Sequence, residues 1–280
     1  MGVIRLAATL LIISALSTAA GAGTIDDLRA SGKLRIGVRQ DAKPFSYYTE
    51  INEPAGYTVD LCRAVAVHLK KDLSLPNLTI DYQKVTAEDR FDAIKEGRID
   101  LLCGATTITF SRREQVSFSS PVYITGAGVL FRTDGPQSMA ELEGKKVGVR
   151  SGTTTEESLL QTLSQFGIKA EVVRFADHQL AIEALAANNI SAYFADRAIL
   201  VELMKTPPSD VIKLSDIVMS VEPYGLGLRR GDEDFRLAID RALAEVYRSS
   251  ELLKIYRANF GTQPPGGLLE SIYLQGALAE

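Results

Sequence analysis

Twice along this chain a short apolar strand gives way to a helix and then to another strand, and a long β-branched run separates the two series. In the first series, strands at 34–38, 78–82 and 99–103 alternate with helices at 57–71 and 87–96. Within 57–71, Leu61, Val65 and Leu69 recur at helical spacing, which marks a face packed on a core. The second series sets strands at 145–149, 170–174 and 191–194 against helices at 153–165, 177–187 and 197–204. Such alternation predicts an α/β fold in which each half is a mostly parallel sheet flanked by helices. The run at 121–132 contains Gly126 and Gly128, is too long for the rhythm on either side, and reads as a crossing between two lobes. A second apolar run, at 221–228, is broken by Pro223, Gly225 and Gly227 and reads as the return. Helices at 25–30, 232–249 and 252–260 complete the chain, and the tail from Gly261 reads as a surface strap with one short helix. We therefore expect one lobe from 23–121 plus 225–280, a second from 127–219, and hinge segments at 122–126 and 220–224. Ligands in open α/β sheets bind beyond the carboxyl ends of the strands, which places the expected site in the cleft between the lobes.

Residues 1–22 carry a single charge, Arg5, then an apolar stretch from Leu6 to Leu16, then Ala20-Gly21-Ala22, which fits a small-residue cleavage site. The stretch is too short to span a bilayer comfortably, so a secretory signal peptide is expected rather than a retained anchor. A soluble chain exported to a Gram-negative periplasm follows from that reading. The chain has 31 Lys and Arg against 35 Asp and Glu, with no basic stripe, which argues against nucleic acid as a partner. Its two cysteines, Cys62 and Cys103, would meet an oxidising compartment, and both a disulfide and a pair of buried thiols are open readings. With them, two scattered histidines (His68 and His178) give no metal-ligand spacing, and neither a metal nor a cofactor is expected.

The stretch 101–120 holds the densest polar chemistry. An apolar strand ends in small residues, and Thr106, Thr107 and Thr109 precede Arg112, Arg113 and Ser117-Phe118-Ser119. Free N–H groups at a strand end, threonine hydroxyls and a guanidinium fork together suit one small carboxylate. The plainer alternative is a polar loop whose Thr and Ser cap a helix.

Four stretches in order carry a family resemblance: Gly56-Tyr57-Thr58-Val59-Asp60-Leu61, Thr107-Ile108-Thr109-Phe110-Ser111-Arg112 with Phe118-Ser119, Ser151-Gly152-Thr153-Thr154, and Ala195-Asp196. On these the chain resembles the periplasmic solute-binding proteins of ABC importers in the polar amino-acid class, most of all the glutamate/aspartate-binding members. The resemblance implies a type II periplasmic-binding-protein fold, a monomer, an amino-acid ligand and a membrane permease as partner. It also implies roles. Arg112 and Thr107 would hold the ligand α-carboxylate, since a guanidinium fork meets both oxygens at once. The loop ending in Thr153 and Thr154 would donate to the same group from a helix N-terminus. Asp196 would accept the α-ammonium, and Arg39, Arg90 and His178 would receive a distal carboxylate. Phe45 or Tyr47 would cover the aliphatic part, with core packing the alternative. Ala87 and Ala105 stand where acidic-amino-acid binders often carry serine, a departure bearing on the choice of ligand.

The mechanism implied is a clamshell in which one lobe captures the amino acid and the other closes over it. Two other readings share the fold: a dehydratase-like enzyme acting on a small carboxylate, and a ligand-binding sensor domain. The first needs a positioned acid or base, which no Cys–His or Ser–His constellation here supplies. The second needs a membrane segment and a downstream domain.

Overall fold

The computed structural model describes residues 23–205 and 209–278, so the signal-peptide expectation for 1–22 lies outside the described residues. The chain enters through α1 (Thr24–Ser31) and β1 (Lys33–Arg39). A small antiparallel sheet then forms from β2 (Asp41–Ala42), β3 (Ser46–Tyr48) and β4 (Pro54–Ala55). Gly56 then turns the chain into α2 (Tyr57–Asp72) at φ +116°, where a Cβ would lie 2.4 Å from the Phe45 carbonyl, so only glycine passes. The first series continues through β5 (Thr79–Val85), α3 (Arg90–Lys95), β6 (Leu101–Cys103), α4 (Phe110–Arg113) and β7 (Ser117–Phe118).

The run at 121–132 divides into β8 (Tyr123–Thr125) and β9 (Ala127–Arg132). The second series is β10 (Lys146–Arg150), α5 (Thr154–Gln165), β11 (Glu171–Phe175), α6 (His178–Ala186), β12 (Ala192–Asp196), α7 (Arg197–Leu203) and β13 (Ile212–Leu214). The return passes through β14 (Glu222–Tyr224) into β15 (Gly227–Leu228), followed by α8 (Glu233–Arg248), α9 (Glu251–Phe260) and α10 (Gly267–Gly276).

The two main sheets repeat one plan, β5-β1-β6-β15-β7 and β11-β10-β12-β9-β13. In each, the first strand of the series lies between the second and third and runs parallel to both. The antiparallel member is in both cases the strand that arrives directly from a crossing: β15 against β6 and β7, β9 against β12 and β13. The crossing strands themselves, β8 and β14, pair with each other through Tyr123↔Tyr224 and Thr125↔Glu222. Gly126 closes this ribbon. A Cβ there would lie 2.4 Å from the Ser220 carbonyl oxygen.

Apolar residues of β1 (Leu34, Ile36, Val38) pack with α2 and α8 into one core, and Val147 and Val149 of β10 anchor another. A disulfide joins Cys62 of α2 to Cys103 at the end of β6. At the crossings an aromatic cluster gathers Phe45, Tyr57, Tyr123, Tyr224 and Phe260, with Phe45 centred 4.7 Å from Tyr123 and 5.0 Å from Tyr224. Phe45 is fully buried there and is not among the residues lining the cavity between the sheets, while Tyr47 lies under the Lys43 ammonium. The structure thus gives Phe45 to the aromatic cluster at the crossing strands rather than to the cavity wall.

Candidate ligand-binding site

The carboxyl ends of β1, β6, β10 and β12 converge on a cavity lined by Arg39, Arg90, Ala105, Thr107, Arg112, Arg150, Thr153, Thr154, Thr155, His178, Ala195, Asp196 and Ile199. Nine of the residues singled out by sequence therefore meet in one place, drawn from both sheets. The lobes are closed on each other, and the cavity measures about 20 Å³, room for one water. Contacts across the cleft include Thr107 Oγ1 to Thr154 Oγ1 at 3.2 Å and Arg90 Nη2 donating to the Gly152 carbonyl at 3.2 Å.

Local structure explains each placement. Thr109 caps α4, its hydroxyl accepting from Arg112 N at 3.2 Å, and this fixes Arg112 on the last turn of that helix. Thr107 forms a bridge to Tyr224 of the return strand, and its carbonyl accepts from Arg112 Nη1 at 3.0 Å. On the other side Thr153 caps α5, which leaves Thr154 at the helix start beside the crossing strands. Thr154 Oγ1 donates to Glu222 Oε2 at 2.8 Å, and Glu222 is 2% exposed. Asp196 ends β12 as the N-cap of α7 without capping it through its side chain; its carboxylate accepts from Thr155 Oγ1 at 2.9 Å and from the Tyr224 hydroxyl.

The electrostatics divide the cavity. On one side, burial and the nearby Glu222 carboxylate push Asp196 above its ordinary range, so a cation in the cavity beside Asp196 would be favoured. On the other, Arg90 is 1% exposed, and its Nε and Nη1 find no hydrogen-bond partner among the described residues. Burial, together with Arg112 and Arg39, pushes its guanidinium well below its usual value. A guanidinium does not give up its proton at ordinary pH, so the missing partner is an anion. The face of the Phe91 ring lies under both Arg90 and Arg112, at 4.5 and 5.5 Å from centroid to guanidinium carbon.

His178 and Arg39, expected to receive a distal carboxylate, line the cavity and also have partners within the chain. His178 Nδ1 pairs with the Tyr193 hydroxyl at 2.6 Å, and burial pulls the imidazole down to about 3, so it is neutral at ordinary pH. Arg39 already holds a carboxylate, that of Asp41, at 2.6 Å.

The histidine carries a stability signature. Its unfolded value is about 6.5, so between pH ~6.5 and ~3 the unfolded chain binds a proton that the folded protein refuses. Stability therefore falls on acidification through that window and is unaffected above it. Urea melts at pH 6.5 and 5 should show His178→Gln losing about 1–2 kcal/mol less than wild type over that interval. Equal losses in the two proteins would contradict a buried neutral imidazole.

Sequence reading missed Arg150, Thr155, Glu222, Phe91 and the two carboxylates that hold Arg150, Asp41 and Glu88. One signal was available for Arg150. The first strands of both series, β1 and β10, end on the same triplet, Gly37-Val38-Arg39 and Gly148-Val149-Arg150.

This fold is that of a type II periplasmic binding protein, two lobes with a site at the cleft. Residues 34–262 match the bacterial extracellular solute-binding proteins, family 3, and the chain belongs to that family. It is 33% identical over 251 residues to the L-glutamate/L-aspartate-binding protein of Pseudomonas aeruginosa, covering 88% of this chain and 83% of that one. Among solved structures, an ancestral arginine-binding protein bound to glutamine is similar at 28% identity with a TM-score of 0.73, over 82% of this chain and 99% of that one. An ancestral amino-acid-binding protein described as a precursor of cyclohexadienyl dehydratase is similar at 25% identity and a TM-score of 0.73, over 85% and 100% of the two chains. Among the described residues no helix is long and apolar enough to cross a membrane.

Proposed function

We propose that this protein captures an acidic amino acid, L-aspartate or L-glutamate, and delivers it to the membrane permease of an ABC importer in the periplasm. The observation that carries the reading is Arg90, buried with two nitrogens unpartnered beside a cavity it shares with Arg112. A zwitterion with a second carboxylate answers every unmet charge on the site. Its α-carboxylate takes Arg112 and the Thr107 and Thr154 hydroxyls, its ammonium takes Asp196 and Glu222, and its side-chain acid takes Arg90. The name of the Pseudomonas relative supports the same ligand class.

Segments 23–121 with 225–280 and 127–219 act as the two lobes, turning about 122–126 and 220–224. The paired ribbon of β8 and β14 and the close approach at Gly126 are where such a rotation concentrates. Closure is driven by ligand to the extent that the ligand touches both lobes and so binds the closed form more tightly.

Calorimetry of refolded, ligand-stripped protein against a full amino-acid panel tests this. Tight binding of L-aspartate or L-glutamate, recovered chemically unchanged, is expected. Preference for a neutral aliphatic or cationic amino acid would refute the assignment of Arg90.

A further inference from the structure

Between the guanidiniums that end β1 and β10 stands one carboxylate of the chain itself. Asp41 Oδ1 accepts from Arg39 Nη2 at 2.6 Å and Nε at 3.1 Å, and Oδ2 accepts from Arg150 Nε at 2.7 Å. All three side chains are 5% exposed or less. Helix α6, which begins at His178, packs against β2, which begins at Asp41. Burial opposes ionisation of this carboxyl, yet Arg39 and Arg150 hold it well below the usual carboxylate range. At the rim, Glu88 accepts from Arg150 Nη1 at 2.5 Å and from Ser151 Oγ at 2.5 Å. Asp41 and Glu88 belong to one lobe and Arg150 and Ser151 to the other, so the same charges also draw the cleft shut.

Arg39 and His178 are two of the three groups expected from family likeness to receive a ligand's distal carboxylate. That position is already filled. We propose that Asp41 is a specificity-determining residue, a resident carboxylate that occupies the anion position between Arg39, Arg150 and His178, so that the pocket ends at Arg90 and favours the shorter diacid, L-aspartate over L-glutamate. The choice between diacids rests on the acidic-ligand reading above; the position of Asp41 does not. Arg39, Arg150 and His178 line the cavity, and the Asp41 carboxylate that pairs with the two guanidiniums stands behind that wall, where the carboxylate of a longer side chain would have to displace it.

The test is Asp41→Ala, which leaves a carboxylate-sized gap walled by two guanidiniums and an imidazole. Sodium acetate should raise the melting temperature of the ligand-free variant beyond its effect on wild type, with sodium chloride at matched ionic strength as control. Calorimetry should show the aspartate-to-glutamate affinity ratio falling by about tenfold in the variant, the scale of one methylene's worth of fit, because the longer acid now reaches Arg39 and Arg150. Acetate acting equally on both proteins, or an unchanged ratio, overturns the proposal. If the alanine variant does not fold, Asp41→Ser carries the same two measurements, and acetate acting equally on both proteins or an unchanged affinity ratio again overturns the proposal. Were neither diacid to bind wild type, the acidic-ligand reading would fall while acetate still reported on Asp41.

Discussion

Replacing Arg90 with methionine is expected to cost about 100-fold or more in affinity for an acidic amino acid while raising the melting temperature of the ligand-free protein. The two effects share one cause. Arg90 is 1% exposed and, among the described residues, donates a single hydrogen bond, from Nη2 to the Gly152 carbonyl at 3.2 Å, with Nε and Nη1 unpartnered. A buried charge without partners costs several kcal/mol, and an apolar side chain of similar length removes that cost while keeping contact with the Phe91 ring. Each kcal/mol gained would show as a rise of roughly 2–4 °C in a protein of this size class. In the complex the balance reverses, because methionine leaves the ligand's side-chain carboxylate buried and unpaired, about 3 kcal/mol or two decades in affinity. Binding of L-glutamine, whose amide asks for no counter-charge, should fall much less. Differential scanning calorimetry without ligand and titration with ligand read the two halves separately. A variant that binds normally, or one that melts lower without ligand, would show that Arg90 is a structural cation rather than a receptor for an anion.

What the sequence made legible, and what it did not, follows from the range of the interactions involved. Period and punctuation are local, so the two strand–helix series and both crossings could be read to within a few residues. The small sheet of β2, β3 and β4 escaped because its strands are two or three residues long, too short for any period to register. Arg39, Arg90, Thr107, Arg112, Thr154, His178 and Asp196 were reached through family likeness, and all of them line the cavity. Their protonation and pairing were not legible. The neutral state of His178 comes from its burial, the partner of its Nδ1 is Tyr193, fifteen residues away on β12, and the pairing of Arg39 depends on Asp41 turning back from β2. Arg150 meets Asp41 across 109 residues of sequence, and no window reading detects such a partner. Phe45 shows the opposite limit, an aromatic residue in a binding-like motif whose ring the hinge core claims.

Arg112→Ala should abolish recognition of amino acids as a class, by about 10²–10³-fold, with a loss nearly the same for aspartate, glutamate, asparagine and glutamine. The α-carboxylate is common to all four, and Arg112 lines the cavity with its Nη1 donating to the Thr107 carbonyl at 3.0 Å, which sets the plane of the guanidinium beside the threonine hydroxyl. Burial lowers its guanidinium from the usual value, against the opposing pull of Glu157, Glu222 and Asp196. Removing the side chain leaves a ligand carboxylate facing Thr107 and Thr154 alone, and truncating one partner of a buried ion pair costs about 3–5 kcal/mol. Lysine in its place should recover part of the affinity, since a point charge supplies attraction without the two-pronged geometry. Comparison with the methionine variant at position 90 then separates the two ends of the ligand. Loss at Arg112 ignores the side chain, whereas loss at Arg90 falls on the acids. An Arg112→Ala protein that discriminated acids from amides more weakly than wild type would reverse the assignment, placing the distal group at Arg112 and the α-carboxylate at Arg90.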